Sequence, residues 1–172
     1  MCMQPLRSRI RAWTLFFIIG LLLSGVTALP IPTEVEAGTV VLGSDMSGHG
    51  FIPKGMASWL REIRDGIRLT SAQAPFMFYG TDWLAFGHFM IAIAFIGALR
   101  DPVRNRWLYQ FGMTACAMVP PWALVFGHVR GIPFWWRLID SSFGIAGFVP
   151  LWLCHRWAAE LEHAQTLENP ST

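Results

Sequence analysis

Ionisable side chains leave four long gaps in this 172-residue chain, and these gaps constrain the fold more than any other feature. A helix needs about 20 apolar residues to cross a hydrocarbon core roughly 30 Å thick. The gaps carry runs such as WTLFFIIGLLL and FMIAIAFIGAL, and they predict spans over residues 12–32, 82–99, 107–127 and 133–154. The sequence therefore predicts an all-α integral membrane protein, a four-transmembrane-helix bundle that forms a single membrane domain over residues 1–172.

The scarcity of charge also narrows the class of partner. Only 14% of the residues are charged, whereas soluble domains carry about 25%. The net charge of +2 is too small to indicate a nucleic acid or another polyanion as partner. We expect the lipid bilayer as the main partner, with a membrane protein or a second copy of the chain as further partners.

The distribution of arginine predicts the orientation of the spans. Six arginines flank the inner ends of spans one, two and three: Arg7, Arg9, Arg11, Arg100, Arg104 and Arg106. Because positively charged flanks stay in the cytoplasm, both termini and the tail 155–172 are predicted to be cytoplasmic, while the loop 33–81 lies outside. This pattern is typical of a multi-pass protein of a bacterial-type inner membrane.

The first span has a second interpretation as a secretory signal peptide. Three arginines precede the apolar run, and the small residues Val26 to Ala28 resemble a cleavage site. Against cleavage, the uncharged stretch of 22 residues is long enough to span, and Pro30 and Pro32 crowd the site. Retention is the favoured prediction, and cleavage of residues 1–28 would leave three spans in the same orientation.

The outer loop carries the pattern of an amphipathic helix over residues 54–69. Its apolar residues recur at helical spacing on one face: Met56, Trp59, Leu60, Ile63 and Ile67. Charged residues such as Arg61 and Asp65 occupy the other face. We expect this helix to lie in the bilayer interface or to cap the bundle, with docking of a partner protein as an alternative. The β-prone run at residues 39–42, in which Thr39 to Val41 are β-branched, favours a short extended segment.

A candidate ligand-binding cluster is predicted where polar side chains of three spans converge on the outer leaflet: Asp82, His88, His128, Arg137 and Asp140. A charge at mid-bilayer costs about 2.5–3.5 kcal/mol on insertion scales. Charged residues in a span are therefore expected to be paired, to contact water or to have a function. At about 1.5 Å per residue, His88 lies roughly 9 Å below Asp82 and near the depth of Asp140.

The cluster has a purely structural interpretation as well. Arg137 and Asp140 are three residues apart and could form an intrahelical ion pair, or Arg137 could meet Asp82. His88 could be a hydrogen-bonded core residue. The prolines at 120 and 121 free two carbonyls of span three from their helical donors. Ser141 and Ser142 are the predicted donors to these carbonyls.

The function that the sequence favours is a non-enzymatic structural, interaction or complex-accessory protein. HExxH, CxxC and CxxCH motifs are absent, so neither catalytic residues nor a metal site are assigned. The alternative is a membrane redox or quinone- or lipid-ligand-binding protein. A b-type haem is less favoured, because its two candidate ligands, His88 and His128, lie at different depths. A second alternative is an oligomeric transporter or proton-relay component.

Overall fold

The computed structural model describes residues 3–29, 31–41 and 54–168, and within these ranges the chain is helical without a strand. The six α-helices of these ranges are α1 (Met3–Thr27), α2 (Ile31–Val41), α3 (Lys54–Gln73), α4 (Tyr79–Arg100), α5 (Arg106–Val129) and α6 (Phe134–Glu168). A 3₁₀ turn, Pro75–Phe78, leads directly into α4.

Four segments of the described chain are long and apolar enough to cross a membrane. They are Gln4–Thr27, Pro75–Arg100, Arg106–Val129 and Phe134–Leu167. The prediction of an all-helical chain with four candidate spans is therefore confirmed for this part of the molecule.

Apart from shifted helix ends, the structure differs from the sequence pattern at residues 39–41. The β-branched run was expected to be extended, but Thr39 to Val41 belong to α2; Leu42 lies outside the described residues. The expectation is wrong because β-propensity depends on a neighbouring strand, and α2 packs instead on α3, where Glu36 pairs with Arg68. The predicted tail agrees with the sequence pattern, because α6 continues to Glu168 and its polar end extends span four as a helix.

The described chain divides into two compact units. The first contains the residues up to Gly20 together with those from Ile91 onward, and the second contains Leu21–Met90. The core of the first unit is formed by fully buried side chains from α1, α4, α5 and α6, among them Ile10, Phe95, Tyr109, Leu151, Cys154 and Leu161.

Within the first unit, glycines allow α5 and α6 to approach each other closely. A Cβ at Gly112 would lie 2.7 Å from the Leu151 Cδ1 atom, and one at Gly144 would lie 2.5 Å from the Cys116 carbonyl oxygen. The two helices are joined by a turn in which Gly131 has a φ of 72°, a left-handed conformation that favours glycine.

In the second unit, the end of α1 packs on the first half of α4. A Cβ at Gly25 would lie 3.2 Å from the Ala85 carbonyl oxygen and 2.6 Å from the Phe89 ring. Ala85 is fully buried. Small residues at this contact bring the two helix backbones together, and this close approach positions the polar contact of His88.

Candidate functional site

His88 uses both nitrogens of its ring in hydrogen bonds inside the second unit. Its Nδ1 lies 2.8 Å from the Leu84 carbonyl oxygen, one turn earlier in α4. Because a carbonyl only accepts, Nδ1 carries the proton, and in the neutral ring Nε2 accepts from the Ser24 hydroxyl at 3.2 Å. His88 therefore links α4 to α1, and ligation of a haem iron through Nε2 would break that link.

Arg137 is held by the α5–α6 hairpin of the first unit. Its Nη1 atom donates to the Leu124 carbonyl oxygen at 3.2 Å, and its guanidinium carbon lies 5.3 Å from the centre of the Phe134 ring. The side-chain methylenes lie against Gly127, where a Cβ would come within 2.5 Å. A residue larger than glycine at 127 would displace the arginine.

The intrahelical ion pair between Arg137 and Asp140 is not formed among the described residues. The three-residue spacing permits the pair, but the open side of Gly127 lets Arg137 turn back toward α5 instead. Asp140 is half-buried, and its carboxylate has no hydrogen bond or ion pair within the described ranges.

The remaining members of the predicted cluster are exposed. Asp82 lies in the first turn of α4, and His128 lies at the end of α5. Among the described residues of the second unit, Asp82 makes no direct polar contact with His88. Among those of the first unit, His128 makes none with Arg137 or Asp140. The convergence of all five side chains stays a prediction.

The two serines of α6 do not bond to the carbonyls of α5. Ser141 Oγ donates to the Arg137 carbonyl oxygen at 2.7 Å, and Ser142 Oγ donates to the Ile139 carbonyl oxygen at 2.6 Å. The prediction was wrong because a hydroxyl on a helix readily bonds to a carbonyl one turn earlier. The carbonyl of Cys116, freed by a proline, packs against Gly144 instead.

A buried network of three uncharged polar side chains joins the helices of the first unit. Thr14 Oγ1 of α1 donates to the Ile10 carbonyl oxygen at 2.8 Å and lies 2.9 Å from the Tyr109 hydroxyl of α5. Cys154 Sγ of α6 lies 3.8 Å from Thr14 Oγ1, and the Tyr109 hydroxyl lies 3.4 Å from the Ala98 carbonyl oxygen of α4. All four helices therefore meet at this network.

Sequence reasoning missed this network, because it searched the spans for ionisable residues only. The three side chains are completely buried, and uncharged residues do not interrupt an apolar run. One available signal was Tyr109, because a tyrosine hydroxyl inside a span needs a hydrogen-bond partner.

A second polar cluster, here called the Arg106 cluster, joins the start of α5 to the C-terminal part of α6. Arg106 Nε donates to His155 Nε2 at 3.1 Å, and Arg106 Nη1 lies 3.0 Å from Glu162 Oε2. Gln110 Nε2 also lies 3.2 Å from His155 Nε2. His155 and Glu162 are seven residues apart on one helix face, a spacing that the sequence already contains.

The described residues contain no group of three or more side chains suited to hold a metal ion. Comparison with protein-family models, curated proteins and solved structures finds no match to this chain.

Proposed function

We propose that this chain is a four-span inner-membrane protein with cytoplasmic termini, which acts without catalysis as a structural or accessory subunit. Its four long apolar helices support the membrane assignment. Their outward faces carry large exposed side chains, including Leu23, Phe143 and Ile145 at 60%, 69% and 63% exposure. Such faces suit lipid or the apolar surface of another membrane protein.

The predicted orientation is supported by the contacts of the buried network. Thr14 follows the arginines at 7–11, while Ala98 and Tyr109 bracket the arginines at 100–106. The hydrogen bond of Tyr109 to Thr14 and its contact with Ala98 bring both groups to one end of the first unit. A single basic end is what the positive-inside rule requires of a cytoplasmic side.

The observation that carries the non-enzymatic assignment is the bonding of His88. Both of its nitrogens are engaged by protein atoms, so the histidine predicted as a ligand serves helix packing. Thr14, Tyr109 and Cys154 are used in the same way in the first unit. Polar groups of the spans thus hold helices together, as interhelical hydrogen bonds do in membrane bundles.

The test is native mass spectrometry of the full chain after mild detergent extraction, combined with an absorption spectrum. We expect the mass of the protein, or of an oligomer or complex, with or without bound phospholipid, but without a stoichiometric haem or quinone and without a Soret band. A Soret band that disappears in His88→Gln would refute the structural role of His88. A quinone retained at one per chain would refute the non-enzymatic assignment in favour of a redox protein.

A ligand-binding protein is the second candidate, and Asp140 favours it. Its half-buried carboxylate has no partner among the described residues, so a quinol, the hydroxyl-bearing reduced form of a quinone, or another lipid-soluble ligand with a hydrogen-bond donor would satisfy it. In that case a bound molecule is expected in the wild type and lost in Asp140→Asn. The transport alternative stays a prediction.

A further inference from the structure

The outer part of the second unit contains an apolar groove between α3 and the 3₁₀ turn. It is open along one side, has a volume of about 270 Å³, and is lined mainly by apolar residues together with Glu62 and Thr70: Trp59, Glu62, Ile63, Gly66, Ile67, Thr70 and Phe78. Gly66 leaves the space open, because a Cβ there would meet nothing within 4 Å. Pockets for drug-sized ligands measure about 300–1,000 Å³, so this groove suits a slender apolar group.

The groove is continuous with the surface of a candidate span. Phe78 lines the groove and also belongs to the segment Pro75–Arg100, which is apolar enough to cross a membrane. The chain carries no charge at residues 69–81. Around the groove, Phe76 and Met77 are exposed by 73% and 62%. An apolar surface of this kind at the end of a span belongs in lipid.

Two of the three arginines of α3, Arg64 and Arg68, are engaged by carboxylates of the protein. Arg68 forms an ion pair with Glu36 of α2, and Arg64 Nε lies 3.0 Å from Asp65 Oδ1. Their charge is therefore partly neutralised within the unit. Recognition at the groove depends on its apolar walls, which suit a hydrocarbon chain better than an anionic headgroup.

We infer that this groove binds an acyl chain of a phospholipid from the leaflet that α4 enters. The inference rests on the membrane residence proposed above. A methylene chain is narrow enough for the groove, and burial of apolar area supplies the driving force where the groove would otherwise hold water. The bound chain would hold the 3₁₀ turn and α3 at the membrane surface.

The test is photocrosslinking of the full chain in phosphatidylglycerol nanodiscs that contain a phospholipid with a diazirine on its acyl chain. Labelled residues are mapped by peptide mass spectrometry. We expect label at Ile63, Ile67 and Phe78 in the wild type. Gly66→Leu fills the groove and should reduce that label about tenfold, equivalent to about 1.4 kcal/mol of lost chain binding.

Gly55→Leu is the matched control, because it makes the same change on the same helix at a position that is also open. It should leave label in the groove unchanged. Label on α4 and α5 without label in the groove, or equal groove label in Gly66→Leu, would overturn this inference alone. Absence of label from all four candidate spans would instead overturn the proposed membrane residence.

Discussion

Replacing Tyr109 with phenylalanine removes one hydroxyl from the buried network and keeps the ring in place. The hydroxyl lies 2.9 Å from Thr14 Oγ1 and 3.4 Å from the Ala98 carbonyl oxygen. In a helix the Ala98 carbonyl would accept a hydrogen bond from the N–H of residue 102. Residue 102 is a proline and has no N–H, so the Ala98 carbonyl lacks this helical donor. The Tyr109 hydroxyl carries one proton, so at any moment it donates either to Thr14 Oγ1 or to the Ala98 carbonyl oxygen, and Tyr109→Phe removes this donor from both.

The expected loss of stability follows from these contacts. Interhelical hydrogen bonds in membrane proteins contribute about 0.6 kcal/mol on average and at most about 1.7 kcal/mol. A buried carbonyl left without a donor adds a penalty of roughly 1 kcal/mol or more. We expect Tyr109→Phe to lower the free energy of unfolding by about 1–2 kcal/mol, measured by circular dichroism in mixed micelles of a mild detergent and dodecyl sulfate.

A double-mutant cycle with Thr14→Val isolates the bond between the two side chains. The coupling energy should be about 0.6–1.7 kcal/mol. Thr114→Val is the control, because the Thr114 hydroxyl is exposed and bonds only to the Gln110 carbonyl oxygen of its own helix; its cost should stay within about 0.5 kcal/mol. Wild-type stability in Tyr109→Phe, or strict additivity in the cycle, would refute the network as a determinant of packing.

Three further predictions concern helix packing and processing. Gly144→Ala should destabilise the protein by about 1–3 kcal/mol in the same unfolding assay, because its Cβ would lie 2.5 Å from a backbone carbonyl oxygen; Gly20→Ala, at an open position, should not, and equal effects would contradict the close packing. Arg106→Gln removes the contacts of Arg106 to His155 and Glu162 of α6, so limited proteolysis after residue 157 should accelerate. The loss of global stability should stay below about 1 kcal/mol, because the ion pair is partly exposed. An unchanged digestion pattern would contradict this role of Arg106. The intact mass of the membrane-extracted protein should include α1, because Thr14 is completely buried in the first unit, and a mature chain that begins at Leu29 would contradict it.

The candidate spans could be predicted from the sequence, because the length and hydropathy of a segment are local properties. The gaps between charges located all four of them, although some ends differ by seven to thirteen residues because polar residues continue the helices beyond the gaps. The helical state of residues 39–41 could not be predicted in this way. It depends on α2 packing against α3, a tertiary contact that overrides the weak preference of β-branched residues.

The contacts of the polar side chains were harder to predict than the spans. The spacing of Arg137 and Asp140 allows an ion pair, but it does not show that Gly127 leaves room for Arg137 to bond Leu124 instead. The sequence places Thr14 and Tyr109 ninety-five residues apart, and only the packing of α1 against α5 brings them to 2.9 Å. A charged residue inside an apolar segment can be recognised from the sequence alone. The hydrogen-bond partner of a buried hydroxyl group cannot, because that partner is often distant in sequence.

The buried network lies at the basic end of the first unit, where four helices are held together. The same residues that tie α1, α4, α5 and α6 together lie next to the arginines at 7–11 and 100–106. In the orientation proposed above, their bonds would hold the bundle together at the cytoplasmic face. On this account α1 is an integral part of the bundle.

The central claim, a four-span bundle with both termini in the cytoplasm, is tested most directly by labelling single cysteines with a membrane-impermeant maleimide in intact cells. Ser71→Cys in α3 and Thr166→Cys near the end of α6 provide exposed positions on the two predicted sides, in a background with the three native cysteines replaced. Labelling of Ser71→Cys in intact cells, and of Thr166→Cys only after the membrane is permeabilised, is the predicted result. Labelling of both positions, or of Thr166→Cys alone, in intact cells would contradict the account.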